Sequence, residues 1–383
     1  MTGLVASAGE DAVELTAHLR RAFDGGPAVG LGMLRDEPGE VPDGTAAVIA
    51  TSGSTGIPKR VVLSAEALRA SAAATAERVG HGAWLLALPA SYVAGLQVLV
   101  RSILAGTTPV VLPGRFTPHA FAASTFALTG PSGGGADGLY TSLVPAQIQT
   151  LIEAADDPAV LQALRAYSAI LVGGQALPEP LRERAADLGA RIVRTYGSSE
   201  TSGGCIYDGE PLDTVAVRSV DGELRIAGPM LADGYLGDPT LTGRTFTRDE
   251  HGIRWYRTGD LGIVEDGVVR VHGRADNVIV SGGINVSLDR VERVVRGIPG
   301  LAGAVVVGVD DERWGEASVI VAARGPALRR SETEQLEQAR AVVEAEIGRH
   351  ARPARLILVD EIAVLTSGKP DREAIRRIAA ELR

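Results

Sequence analysis

Between residues 44 and 195, short apolar runs alternate with helical stretches, and that alternation leaves few folds open. The runs at 44–50, 83–88, 109–112 and 169–172 have the apolar character of strands buried on both faces, and 191–195 is again strand-like. Helical patterns lie between them. One opens at Ser64, a suitable N-cap with Glu66 in the first turn, and runs to Arg78. Others cover 94–105, 145–155, a stretch from Ala159, and 178–188. Strands separated by helices pair mainly in parallel and present their carboxyl ends to ligands. The glycine-rich stretch 130–138 reads as a surface loop.

From Val215 the period changes. Alternating segments at 223–226 and 268–271 are flanked by Asp-Gly pairs at 221–222 and 266–267, the chemistry of tight hairpins, which predicts an antiparallel, barrel-like subdomain. A polar, hinge-like stretch follows Gly273. Beyond it come a helix at 288–296, strands at 304–309 and 318–323, a long helix ending near Gly348, and a strand at 355–359. The expected class is α/β: a large N-terminal domain, 1–273, with mostly parallel sheets plus the barrel-like subdomain, and a small mobile α+β domain, 274–383.

The 38 Lys and Arg residues against 47 Asp and Glu give a formal charge of −9, which argues against a nucleic-acid partner. A local nest of N–H groups with one lysine can still bind phosphate on an acidic protein. Cys205 is the sole cysteine, so the chain has no internal disulfide or cysteine-based metal site; it reads as a small packing residue. The best apolar stretch, 94–104, is interrupted by Gln97 and Arg101, and no leader pattern opens the chain. The expectation is a soluble cytoplasmic protein without membrane insertion.

Five segments carry chemistry. Thr51-Ser52-Gly53-Ser54-Thr55-Gly56-Ile57-Pro58-Lys59 follows a strand, and its small residues let backbone N–H groups, hydroxyls and one lysine converge on phosphate. Pro58 before the lysine and Arg60 after it exclude a Walker A loop. Tyr196-Gly197-Ser198-Ser199-Glu200 offers a flat ring for a base, a hydroxyl for phosphate and a carboxylate suited to Mg²⁺. In Tyr256-Arg257-Thr258-Gly259-Asp260 the carboxylate can accept from two ribose hydroxyls. Arg274, Asp276 and Ser281-Gly282-Gly283 sit where the chain changes character. Lys369 lies on a glycine-flanked loop, with Pro370 and Asp371 suited to the first turn of a following helix. Taken singly, each segment also reads as an ordinary polar turn, linker or solvated loop.

Together, in this order, they resemble the adenylate-forming superfamily of acyl-CoA synthetases, nonribosomal adenylation domains and firefly-type luciferases, over nearly all of 48–375. Residues 194–212, 82–89, 93–96 and 99–106 look most like the short o-succinylbenzoate–CoA ligases of actinobacterial menaquinone synthesis. Three positions depart from the commoner pattern: Tyr92, Ser199 in place of threonine, and Arg60 in place of glycine.

The resemblance implies ATP-dependent formation of an acyl-adenylate and transfer of the acyl group to coenzyme A, with Mg²⁺ as cofactor and o-succinylbenzoate as the acid; another aryl or acyl acid is the alternative. It implies Lys369, Glu200, Ser199 and Arg274 in catalysis, Glu200 on the metal, and Asp276 as hinge. Thr51 to Gly56, Lys59, Gly173, Gly174, Gln175, Thr195, Tyr196, Gly197, Asp260 and Arg274 would hold ATP or AMP. Tyr92, Gly95, Arg101, Ser202 and Gly203 would line the acyl pocket, and Ser281, Gly282 and Gly283 would meet CoA. Arg101, within an apolar helical stretch, needs an anion: either a substrate carboxylate or an internal Asp or Glu. The expected partners are the acid, ATP and CoA, with a homodimer as the one protein assembly entertained.

Overall fold

In the computed structural model of the chain, two sheets sandwich a layer of helices. The structure describes residues 1–7, 9, 11–32, 39–51, 59–129, 138–325, 331–365 and 369–382. The first sheet runs in the order Gly234–Tyr235, Lys59–Ser64, Thr45–Thr51, Ala28–Leu31, Thr2–Ser7, Glu40–Val41. The second runs Glu210–Pro211, Gly203–Tyr207, Ile192–Ser198, Ala169–Val172, Leu139–Leu143, Ala83–Leu86, Val110–Val111. Both have parallel centres; antiparallel strands complete each at one or both edges.

The period of two explains why the strands read as continuous apolar runs. Trp84 and Leu171 face the helical layer, while their neighbours Leu85 and Ile170 face an outer layer of helices with Phe121, Ile148 and Leu164. The inner layer is Ala12–Phe23, Ala65–Val79 and Val93–Leu104, contributing Leu15, Leu19, Leu68, Leu96 and Leu99 to one apolar cluster with both sheets. Ser64 caps the second of these as its sequence suggests, its hydroxyl accepting from Ala67 N at 3.2 Å.

The strands Ala216–Val220, Glu223–Ala227, Arg254–Glu265 and Phe246–Arg248 form an antiparallel sheet, with Val268–Arg274 paired to Arg254–Glu265. Among the described residues no pairing closes it, so the barrel-like expectation is corrected to an open, bent sheet. The long strand Arg254–Glu265 shifts register at Leu261/Gly262 and changes partner along its length, which bends the sheet without joining its edges. Asp221 and Asp266 take the left-handed conformation before Gly222 and Gly267, as Asp-Gly hairpins require.

The remaining chain folds around the strands Ile284–Ser287, Val278–Ser281, Gly315–Ala323 and Val305–Asp311, with Arg355–Val359 parallel to Gly315–Ala323. Helices Leu288–Arg296 and Glu332–Glu346 cover one face and Arg372–Glu381 the other. The apolar clusters of residues up to Val271 and from Ile279 onward share no member. No helix of the described residues is long and apolar enough to cross a membrane.

Candidate active site

Four strand ends from different sheets meet at one place. Ile192–Ser198 ends in a single 3₁₀ turn, Ser199–Thr201, which aims Glu200 toward the edge strand Gly234–Tyr235 of the first sheet. The Tyr235 hydroxyl donates to Glu200 Oε1 at 2.9 Å, and Ala232 N donates to the Glu200 carbonyl at 2.8 Å. Lys59 begins the neighbouring strand and sets Nζ over the Tyr235 ring, 5.8 Å from its centroid. Thr51 pairs with Lys59 across the same hairpin, its hydroxyl donating to Lys59 O at 3.3 Å. Ser52, Gly53, Ser54, Thr55 and Gly56 lie outside the described residues.

Asp260 enters from the antiparallel sheet. It accepts from the Tyr196 hydroxyl and faces Arg274 Nη1 at 3.4 Å, with Arg274 directly opposite in the strand register. Burial raises the Asp260 carboxyl above the usual carboxylate range, against the opposing pull of Tyr196 and Arg274. Arg274 also makes two parallel bonds to Asp276, which hold Asp276 below its ordinary value and Arg274 above its own.

Lys369 comes from the far end of the chain. Its loop is pinned by Leu365 N donating to Lys369 O at 2.8 Å and Asp371 N to Ala363 O at 2.8 Å, and Asp371 caps the helix Arg372–Glu381 by accepting from Ala374 N. A β-carbon at Gly174 would lie 3.5 Å from Lys369 Cε. Burial lowers the Lys369 pKa, while the charges of Glu200 and Asp260 push it back up. Lys369 is thus buried beside Gly174 and within electrostatic reach of both carboxylates.

The glycines of this site are small for stated reasons. A β-carbon at Gly173 would come within 2.4 Å of Thr195 Oγ1, and one at Gly197 within 2.0 Å of Gly203 O. Gln175 follows Gly174 and is half-buried, as is Ser199 beside Glu200.

The acyl-pocket expectations divide. Tyr92 stands half-buried at the N-cap of Val93–Leu104. Gly95 is buried where a β-carbon would meet Pro89 O at 2.3 Å, so close packing of backbone accounts for it. Ser202, left-handed at φ 50°, spends its hydroxyl on Met230 O at 2.8 Å, and Gly203 lies against Gln97. Arg101 is 7% exposed. Its Nη2 donates to Thr75 Oγ1 at 3.3 Å and its guanidinium lies 4.8 Å from the Trp84 ring centroid, while Nε has no partner. Among the described residues no carboxylate pairs with it, so the internal Asp or Glu entertained above is not found.

Ser281, Gly282 and Gly283 turn the hairpin between Val278–Ser281 and Ile284–Ser287, and Gly282 packs on Trp314, its N–H donating to Trp314 O at 2.8 Å. Two residues of this site, Tyr235 and Tyr256, have no role assigned from the sequence. Tyr235 carried no signal beyond a Gly-Tyr pair. Tyr256 shares a strand face with Thr258 and Asp260, a period-two relation that could have found it; its hydroxyl meets Ser198 Oγ at 3.5 Å.

The chain is 40% identical over 352 residues to a protein of Mycobacterium tuberculosis named probable 2-succinylbenzoate–CoA ligase, covering 89% of this chain and 87% of that one. It is 28% identical to the 2-succinylbenzoate–CoA ligase of a Geobacillus strain, covering 88% and 69%. The structure of o-succinylbenzoate CoA synthetase from Bacillus subtilis, in complex with its acyl-adenylate intermediate, superposes with a TM-score of 0.72 at 23% identity, covering 97% of this chain and 82% of that one. Residues 5–236 match the model of the AMP-binding enzymes and residues 290–369 that of their C-terminal domain, and the chain belongs to the AMP-binding enzyme family.

Proposed function

We propose that the chain is an acid–thiol ligase that activates o-succinylbenzoate as an acyl-adenylate and passes it to coenzyme A, in menaquinone biosynthesis. The observation that carries this reading is that Lys369 is buried against Gly174 within electrostatic reach of Glu200 and Asp260, two carboxylates and one cation drawn from three separate parts of the sequence. The name of the relative 40% identical over most of the chain supports the choice of acid.

In the first step the substrate carboxylate attacks the α-phosphorus of ATP, and the bond to the β-phosphate breaks as pyrophosphate leaves. The nucleophile is already ionised, so no protein base is needed; positioning and neutralisation of charge supply the catalysis. Lys369 bridges carboxylate and phosphate oxygens. Asp260 and Arg274 hold the ribose, and Gly173, Gly174, Gln175, Thr195, Tyr196 and Gly197 frame the adenine. Thr51 to Lys59 takes the outgoing phosphates, with Ser199.

The residues present fit a magnesium ion. Glu200 Oε1 accepts from Tyr235, while Oε2 has no hydrogen bond among the described residues. No cluster of three or more His, Cys, Asp or Glu able to hold a metal occurs among them either. One hard carboxylate, completed by phosphate and water, is the donor set Mg²⁺ takes. Bound there, Mg²⁺ would neutralise charge on the leaving pyrophosphate.

In the second step the CoA thiol attacks the acyl carbon, AMP leaves, and the thiol proton goes to solvent. We assign residues 1–273 and 274–383 to two domains, with Asp276 as pivot and the turn Ser281, Gly282 and Gly283 turning toward CoA once Lys369 withdraws. The separate apolar clusters on either side of 272–278 support that division. ATP and CoA are cytosolic metabolites, and we place the enzyme in the cytoplasm.

Arg101 is our determinant for a dicarboxylic acid. A buried guanidinium with an unpartnered Nε and no carboxylate partner among the described residues suits the second carboxylate of o-succinylbenzoate. Exchange of pyrophosphate into ATP, driven by a panel of acids, tests the reading. o-Succinylbenzoate should far exceed benzoate and hexanoate; equal exchange with the monocarboxylates would remove Arg101 from substrate recognition.

A further inference from the structure

Tyr235 touches both groups that the proposed function assigns to the triphosphate, and it does so with two different parts of one side chain. Its hydroxyl donates to Glu200 Oε1 at 2.9 Å, and its ring lies under Lys59 Nζ, 5.8 Å from the centroid. The side chain is braced on every side. Its strand pairs Tyr235 with Val61 and Gly234 with Val62, which puts Lys59 two residues along the neighbouring strand and on the face of Val61. The Tyr235 N–H donates to Thr242 Oγ1 at 2.9 Å. The ring leans on Phe246 at 6.0 Å between centroids, and Phe246 stacks on Tyr256 at 5.4 Å. Only 6% of Tyr235 is exposed.

We propose that Tyr235 is a positioning residue for the metal–triphosphate half of the site, fixing the Glu200 carboxylate with one oxygen occupied and holding Lys59 at a set separation from it. This rests on the reading of Glu200 as the metal ligand. A carboxylate that accepts one hydrogen bond on Oε1 has a single rotamer and presents Oε2 outward. Without that bond the carboxylate spreads over several rotamers, and the ordering has to be met when the metal binds. The ring under Lys59 does the same for an ammonium that would otherwise have a flexible four-carbon stem.

The test is binding of ATP as its Mn²⁺ complex, followed calorimetrically without any acid so that no turnover occurs. Tyr235→Phe should weaken that binding about ten-fold, the scale of one lost hydrogen bond to a charged group. Metal-free ATP should bind Tyr235→Phe as it binds wild type, because the ring under Lys59 remains, and Tyr235→Leu should weaken it. Thiol transfer from supplied acyl-adenylate, which involves neither metal nor pyrophosphate, should be unchanged in Tyr235→Phe; a variant damaged in its fold would lose this too. Glu200→Gln separates the two readings. If Glu200→Gln weakens Mn²⁺–ATP binding and Tyr235→Phe does not, the role of Tyr235 is overturned and that of Glu200 stands. If Glu200→Gln leaves binding intact, the metal-ligand reading falls, and the proposal with it. In the double variant the losses should not add; full additivity would put Tyr235 to work somewhere other than through Glu200.

Discussion

Arg274 grips Asp276 by two parallel bonds, Nε to Oδ1 and Nη2 to Oδ2, each 2.9 Å long. The same guanidinium faces Asp260 at 3.4 Å and donates to Thr258 O at 3.2 Å. One side chain therefore ties the strand of Asp260, the carboxylate proposed to bind ribose, to the residue proposed as pivot. A planar fork suits this double duty, and a lysine in its place would supply one point charge and lose the parallel pair.

That arrangement predicts the effect of Arg274→Lys. Adenylate formation, read by pyrophosphate exchange, should fall about ten-fold or more, the scale of one to two charge-assisted bonds. Wild-type exchange in the variant would separate the fork from the first half-reaction.

Lys369→Ala should lower adenylate formation by about 10²–10³-fold, the usual cost of one preorganised group at a developing charge. Thiol transfer from supplied acyl-adenylate should persist. Single-turnover measurement of both halves decides it: equal loss in each would contradict a lysine that serves only the first.

The pH dependence of adenylation follows from the same residue. Burial depresses the Lys369 pKa below the 10.5 of a free lysine. The ammonium is therefore lost as pH rises through a value lower than usual, and adenylation should decline on the alkaline side before ordinary lysines titrate. The stability sign is opposite. Between the folded and unfolded values the unfolded chain binds more protons, so this lysine's unfavourable contribution fades as pH rises toward 10.5. Lys369→Arg should remove the alkaline decline from the rate profile; a profile that keeps it assigns the limb to another group.

Arg101→Leu tests the acid. Activity with o-succinylbenzoate should fall about 10–100-fold in kcat/KM, as for a lost bond to a charged group, with benzoate little changed. The melting temperature should not fall, because the substitution removes a buried cation that no carboxylate of the described residues compensates. A large drop in stability with all acids equally impaired would make Arg101 a structural residue.

Glu292 anchors the C-terminal fold. It is 5% exposed and accepts from Arg372 Nη2 at 2.9 and 2.8 Å, from Val306 N at 2.9 Å and from Arg296, so Glu292→Ala should cost about 3–5 kcal/mol by removing the buried carboxylate that two arginines share. Chemical denaturation measures it, and a loss below about 1 kcal/mol would show that these arginines find other partners.

Local rules reached much of this fold. Ser64 as cap, the Asp-Gly turns and the buried strand 169–172 were legible because backbone chemistry and period decide them without help from the rest of the chain. The loop lysine Lys59 read as loop, yet it opens a strand, because that strand is held by pairing with Thr45–Thr51 and with the distant Gly234–Tyr235, which no local window contains. Gly95 and Ser202 read as pocket residues, while the structure gives each a packing or backbone-satisfying task that only three-dimensional neighbours reveal. The bent sheet's failure to close is likewise a matter of edge geometry, to which alternation of side chains is blind.

Among the described residues no apolar cluster spans 272–278, and that has a consequence for concentration. Polar contacts such as Arg293 Nη2 donating to Val271 O at 2.8 Å bridge the boundary, and the short covalent connection is what keeps Lys369 at high local concentration. Connections of this kind give effective concentrations in the millimolar range. If residues 274–383 were severed and supplied as a separate polypeptide, rescue of adenylation would then climb without saturating until comparable amounts were added.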